Sequence, residues 1–221
     1  MRMGDWRIAL TEVGMAIRAV VFDFGGVLFD WNPHHLYRKL IADDHERQWF
    51  LDNICTQAWN TEQDAGRSLA DGTRSLIEQF PQHERLIQAY YERWHEMLRG
   101  SLPEGVAILK ALHQASMPLF GLTNWSAETF PYARANYPFL QCFRDIVVSG
   151  ELKLIKPDAA IYQASLGQVR AHLPDIQPAE VVFIDDVAGN IGAAVALGWQ
   201  GIHHVSAEHT AARLRELGVG F

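Results

Sequence analysis

Short apolar runs closed by polar residues set the rhythm of this chain. Ala19-Val20-Val21-Phe22 runs into Asp23-Phe24-Gly25-Gly26, Leu119-Phe120-Gly121-Leu122 into Thr123-Asn124, and Val181-Val182-Phe183-Ile184 into Asp185-Asp186. Ile146-Val147-Val148 and a segment around Gly201–His204 have the same apolar character. Runs of this length, rich in valine and isoleucine, predict buried parallel strands. Helical patterns lie between them. Val106, Leu109 and Leu112 share one face of a helix after Pro103, and a further helix is expected after Ser126 as N-cap. Pro157 is expected to open a helix through about Val169, with others near Gly189–Leu197 and after Ala207. Alternating strands and helices imply right-handed crossovers and an α/β fold with a doubly wound, mostly parallel, Rossmann-like sheet.

One stretch breaks the alternation. Residues 33 to about 100 are dense in Trp, Tyr, His and charge and nearly free of strand signals. Pro33 is placed to open their first helix, and Leu86, Ile87, Tyr90, Tyr91, Trp94 and Leu98 recur at helical spacing. The expected organisation is a core of residues 15–32 and 100–221, a helical insertion over 33–99, and an extension over 1–14. Met15, just before the first strand, reads as the natural start.

Composition narrows the function. At 221 residues, 48% hydrophobic and 20% charged, the chain can bury a full core without staples. Its 26 acids outnumber its 19 bases for a net charge of −7, which argues against nucleic-acid binding. No apolar stretch approaches the roughly 18 residues a membrane span needs. The two cysteines, Cys55 and Cys142, are far apart, which suits buried thiols in a reducing cytoplasm.

In a doubly wound sheet, ligands bind beyond the carboxyl ends of the strands. Asp23 is expected there, with Gly25 and Gly26 allowing close approach of the backbone; taken alone, an aspartate that simply closes a turn is the plainer reading. Asp185 and Asp186 repel each other, and a hard divalent cation would relieve them; a solvated acidic loop is the plainer alternative. Lys156 before a helix start could face an anion, or be a surface lysine. Thr123 and Asn124 could hold a phosphate oxygen, or only lead into a helix.

Together the four segments are more specific. Asp-x-Gly-Gly-Val-Leu, Leu-Thr-Asn, Lys-Pro and Phe-Ile-Asp-Asp-x-x-x-Asn occur in the order and at the separations of the haloacid dehalogenase superfamily, which the chain resembles from about Ile17 to Val205. The segment from 33 to about 100 resembles that family's helical cap. The resemblance implies that Asp23 is a nucleophile forming an aspartyl-phosphate. It implies a Mg²⁺ site of the Asp23 carboxylate, the Gly25 carbonyl and Asp186, with Asp185 acting through water and Asn190 steadying the loop. Thr123 and Asn124 would grip the phosphoryl group, and Lys156 would neutralise charge on it.

One position departs from the pattern. The family's phosphatases carry a second aspartate two residues after the nucleophile, as the proton donor to the leaving oxygen. Here it is Gly25. Asp30 is the nearest replacement in sequence, although a turn role is the stronger expectation for it. His34 and His35 are of the residue type that can move a proton at neutral pH, but they read as surface residues. Trp49, Trp59, Tyr90, Tyr91 and Trp94 are expected mostly to form the core of the helical segment, with one or two facing the site.

The resulting expectation is a Mg²⁺-dependent phosphomonoester hydrolase acting on a small phosphorylated metabolite such as a sugar phosphate. A metal-free 2-haloacid dehalogenase is the alternative, since halide needs no proton. A phosphate-binding domain without turnover is the third.

Overall fold

The computed structural model describes residues 16–221. The extension over 1–14 and the Met15 start lie outside the described residues. Five strands form one parallel sheet: β1 (Ala19–Phe22), β4 (Leu119–Thr123), β5 (Asp145–Val148), β6 (Val181–Asp185) and β7 (Gln200–His203). Their order is β5-β4-β1-β6-β7. From β1 the chain winds outward through β4 to β5, then crosses to β6 and winds the other way. The two directions part between β1 and β6, so the switch point lies between Asp23 and Asp185.

Alternation along the strands builds both faces. Val20, Phe22, Val182 and Ile184 enter one core with Leu109 and Leu112 of α6 (Pro103–Gln114) and Leu214 of α11 (Ala207–Glu216). Ala19, Val21, Val181 and Phe183 enter the opposite core with Tyr162 and Val169 of α9 (Ala159–His172) and Ala194 of α10 (Ala188–Ala196). Period-two patterning therefore feeds two helical layers from strands buried on both sides.

Between β2 (Phe29–Trp31) and β3 (Leu98–Ser101) lie α1 (His34–Tyr37), α2 (Asp44–Asn53), α3 (Gln57–Asp64), α4 (Leu69–Gln79) and α5 (Glu84–Glu92). Asp43, Thr56 and Ser68 cap α2, α3 and α4 by accepting from the backbone N–H of Glu46, Trp59 and Asp71. Tyr37, Phe50, Trp59 and Tyr90 fill the centre of these helices.

Several local expectations shift. The 33–100 segment is entered and left through a strand pair: β2 and β3 form an antiparallel ribbon, so Leu98 is in a strand, and the helical period stops at α5 and a short 3₁₀ turn at Trp94–Glu96. Ser126 does not cap a helix directly. Its hydroxyl accepts from the Glu128 N–H in a local turn, and α7 (Phe130–Asn136) begins at Phe130 with Pro131 in its first turn. Pro157 precedes α9 without opening it. Asn124 holds the Lys156 backbone in a loop, and the helix starts at Ala159. A short α8 (Ser149–Leu152) follows β5. Among the described residues no helix is long and apolar enough to cross a membrane.

Candidate active site

The carboxyl ends of β1, β4 and β6 open into a cavity of about 330 Å³ roofed by α3 and α5. Asp23, Gly25, Gly26, Thr123, Asn124 and Lys156 line its floor, with Asp186 and Asn190 beside them. Asp23 follows β1 directly, and its N–H donates to the Ile184 carbonyl, which fixes the carboxylate against the end of β6.

Lys156 organises the floor. Its side chain is 2% exposed, and Nζ donates to Asp23 Oδ1 at 2.8 Å, Asp185 Oδ2 at 2.7 Å and the Leu122 carbonyl at 3.2 Å. All three ammonium donors are therefore used. Burial works to lower this ammonium, but Asp23 and Asp185 outweigh it and leave it raised. Burial pushes the Asp23 carboxyl up; Lys156 opposes that rise and Asp185 adds to it.

The paired acids divide their work. Asp185 is fully buried, and its carboxylate accepts from Lys156, from the Val187 N–H and from Asn190 Nδ2. Asp186 is exposed to the cavity, with its carboxyl raised by partial desolvation and by Asp185. Gly26 adopts φ +67°, which favours glycine, and a Cβ there would displace the Asp186 carboxylate from its place. Gly25 differs: a Cβ at that position meets nothing within 4 Å.

Ligand oxygens of Asp23, Asp185 and Asp186 lie within 4.8 Å of one another. Three carboxylates against one ammonium leave two negative charges uncompensated when all are ionised, and oxygen donors in this number suit a hard divalent cation. The residues present fit such an ion. Asp23, Asp186 and the Gly25 backbone border the open side, while Asp185 is committed to Lys156 and Asn190.

Most of the sequence-predicted residues meet here, with two qualifications. Asn124 Nδ2 donates to the Lys156 carbonyl and its Oδ1 accepts from the Lys156 N–H, so the amide chiefly positions Lys156, leaving one N–H for a guest. Asp30 is absent from the lining, because its carboxylate turns to His35 Nε2 at 2.9 Å on the ribbon. Of the aromatics named from sequence, Tyr91 and Trp94 face the cavity, Trp59 and Tyr90 are buried in the helical core, and Trp49 is half exposed.

The sequence reading missed Trp31, Trp125 and Asp64 on the walls. Asp64 is the last residue of α3, where the helix dipole disfavours a negative charge, and that placement was the available signal. Burial pushes its carboxyl up to about 7.

Known proteins resemble this chain in sequence and in fold. The chain is 28% identical over 201 residues to the sesquiterpene phosphatase astK of Aspergillus oryzae, covering 90% of this chain and 96% of that protein. It is 28% identical over 124 residues to (S)-2-haloacid dehalogenase 1 of a Pseudomonas species, covering 56% of this chain and 50% of that one. A haloacid dehalogenase family enzyme from Bacteroides thetaiotaomicron, solved with magnesium and inorganic phosphate, superposes with a TM-score of 0.61 at 23% identity, over 85% of this chain and 93% of that one. The family model for haloacid dehalogenase-like hydrolases matches residues 17–198, and with the parallel sheet and its strand-end site this makes the chain a member of that hydrolase family.

Proposed function

We propose that the chain is a Mg²⁺-dependent phosphomonoester hydrolase that works through an aspartyl-phosphate on Asp23, with the helices between β2 and β3 as a cap over the site. The observation that carries this reading is the Lys156 ammonium bridging Asp23 and Asp185 while Asp186 faces the same cavity. A dianionic phosphate approaching a carboxylate nucleophile is repelled, and Lys156 offsets part of that repulsion at both groups. When bound, Mg²⁺ supplies the remaining positive charge and aligns the phosphoryl group. The free oxygen of Asp23 attacks phosphorus. Thr123, buried at the end of β4, offers its hydroxyl to a phosphoryl oxygen, and Asn124 holds Lys156 in place while its spare N–H faces the same group. Asn190 keeps Asp185 oriented toward Lys156.

The substrate fits the walls. Trp31, Tyr91, Trp94 and Trp125 give the cavity an aromatic lining suited to an apolar organic group on the phosphate. The sesquiterpene phosphatase relative, matched along most of the chain, supports the same class. Unpaired thiols, with Cys55 buried against the Tyr37 hydroxyl, suit a cytoplasmic setting.

One observation favours a second reading. Gly25 lacks the acid that a poor leaving group needs, and a haloacid dehalogenase is among the relatives. Against it, Asp186 would repel a carboxylate substrate. Parallel assays decide: p-nitrophenyl phosphate with Mg²⁺, with and without EDTA, and 2-chloropropionate with chloride detection. Metal-dependent phosphate release that vanishes in Asp23→Asn is expected. Chloride release indifferent to EDTA would overturn the phosphatase reading.

A further inference from the structure

Expelling an alkoxide or phenoxide calls for a proton at the leaving oxygen, and Gly25 has none to give. We propose that Asp64, at the end of α3, is the general acid and base of the reaction, reaching the site from the cap side instead of from the nucleophile's own loop. The proposal rests on the phosphomonoesterase reading above.

Asp64 lines the same cavity as Asp23, Thr123 and Lys156. Its place is fixed from two sides. The Ser149 hydroxyl donates to its backbone carbonyl and itself accepts from the Trp125 N–H. Its carboxylate accepts from Asn60 Nδ2 at 3.0 Å and lies against the Ser126 backbone N–H. Trp125 and Ser126 belong to the loop that leaves β4 after Thr123 and begins with Asn124, so the segment offering contacts to the phosphoryl group also locates Asp64. Asn60 is held in turn: the Tyr91 hydroxyl donates to its Oδ1, and Gln63 Nε2 donates to Tyr91.

The surroundings favour a proton on this carboxyl. Arg67, the arginine nearest in sequence, is spent on Glu62 and Gln63. The C-terminus of α3 adds partial negative charge. Burial raises the carboxyl to about 7, with the Ser126 N–H pulling the other way. Tyr90 and Tyr91 of α5 face it, and burial pushes both phenols up, so neither ionises near neutrality. A carboxyl poised near neutrality can both give and take a proton.

The steps balance. As an Asp23 oxygen bonds to phosphorus, the phosphorus–leaving oxygen bond breaks, and its electron pair takes the Asp64 proton to release the alcohol. The Asp64 carboxylate then removes a proton from water. The water oxygen attacks phosphorus, the bond to Asp23 breaks, and inorganic phosphate leaves with Asp64 again protonated.

The test compares phenyl phosphate, a poor leaving group, with p-nitrophenyl phosphate, a good one, in the full chain with Mg²⁺. Asp64→Asn is expected to lower kcat/KM on phenyl phosphate about 10²-fold or more, and on p-nitrophenyl phosphate less than about tenfold. The ratio of the two rates is independent of how much variant is folded. In the unaltered chain kcat/KM on phenyl phosphate is expected to fall as pH rises through Asp64's titration, and that limb is expected to disappear in the variant. Adding Gly25→Asp to Asp64→Asn, at a position where a Cβ meets nothing within 4 Å, is expected to recover phenyl phosphate hydrolysis. Equal losses on both substrates, or none, would overturn the role of Asp64 while leaving the phosphatase reading intact. Absence of Mg²⁺-dependent hydrolysis in the unaltered chain, or full activity in Asp23→Asn, would overturn both.

Discussion

The floor and the roof of the cavity are built by different physics. On the floor, charges are buried and paired: Lys156 joins two carboxylates, and Asp185 accepts from three donors. The acids hang from the ends of central strands, so their positions follow from the sheet, and Asn124 holds Lys156 beside them from a loop. On the roof the groups are mostly neutral. Tyr91, Trp94 and Asn60 are set by helix packing and by a chain of side-chain hydrogen bonds. On the proposed reading the floor supplies electrostatics that any phosphoryl group needs, and the roof supplies shape and, through Asp64, a proton. Substitutions on the floor should therefore stop all substrates together, while those on the roof should separate one substrate from another.

The largest expected effect is Asp23→Asn. Loss of the proposed nucleophile should cost at least about 10³-fold in kcat on any phosphate ester, with substrate binding retained. A loss confined to some substrates would mean the floor is not common to all of them. Lys156→Ala should be next, and it should cost stability as well as activity. Removing the ammonium leaves Asp23 and Asp185 buried without their cation, a change typically worth about 3–5 kcal/mol. Denaturant melts beside kinetics would show both losses; full stability would contradict the bridging role. On the roof, Trp94→Ala should raise KM for phosphates carrying large apolar groups by about tenfold, with little change for inorganic phosphate as inhibitor. Equal weakening of both would place Trp94 on the floor's side of the comparison.

The smallest effect is a stability slope. Asp64 has its carboxyl raised in the folded chain, so the folded state binds a proton more tightly than the unfolded one between the ordinary carboxylate range and about 7. Its stabilising contribution is complete below that range and is lost as pH rises through about 7. Asp64→Asn should flatten this slope. A change of order 1 kcal/mol would appear as about 2–4 °C in Tm. Parallel melting curves for the two proteins across that interval would contradict the raised Asp64 carboxyl.

What the sequence makes legible follows the same division. Asp23, Thr123 and Asp185 stand out because each closes a short apolar run, and the sheet carries such run-ends to one edge. Lys156 is visible only as a lysine before proline; its burial between two acids is a tertiary fact. The ribbon of β2 and β3 is hidden because Leu98-Arg99-Gly100-Ser101 shows no alternating apolar face and follows directly on a helical pattern. The start of α7 is obscured because Ser126 satisfies a turn first, while Pro131 carried the better signal. Asp30 attracts attention by closeness in sequence, yet β2 carries it away from the cavity and α3 brings Asp64 in from farther along the chain.

The central claim is that Asp23, Lys156 and Asp186 surround one cation and one anionic guest. A crystal structure grown with Mg²⁺ and beryllium fluoride, a stable stand-in for the phosphoryl group, tests it most directly. The account predicts beryllium fluoride joined to an Asp23 oxygen, Mg²⁺ between it and Asp186, and Lys156 Nζ within hydrogen-bond reach of the fluoride. Beryllium fluoride bound away from Asp23, or Mg²⁺ held without Asp186, would contradict it.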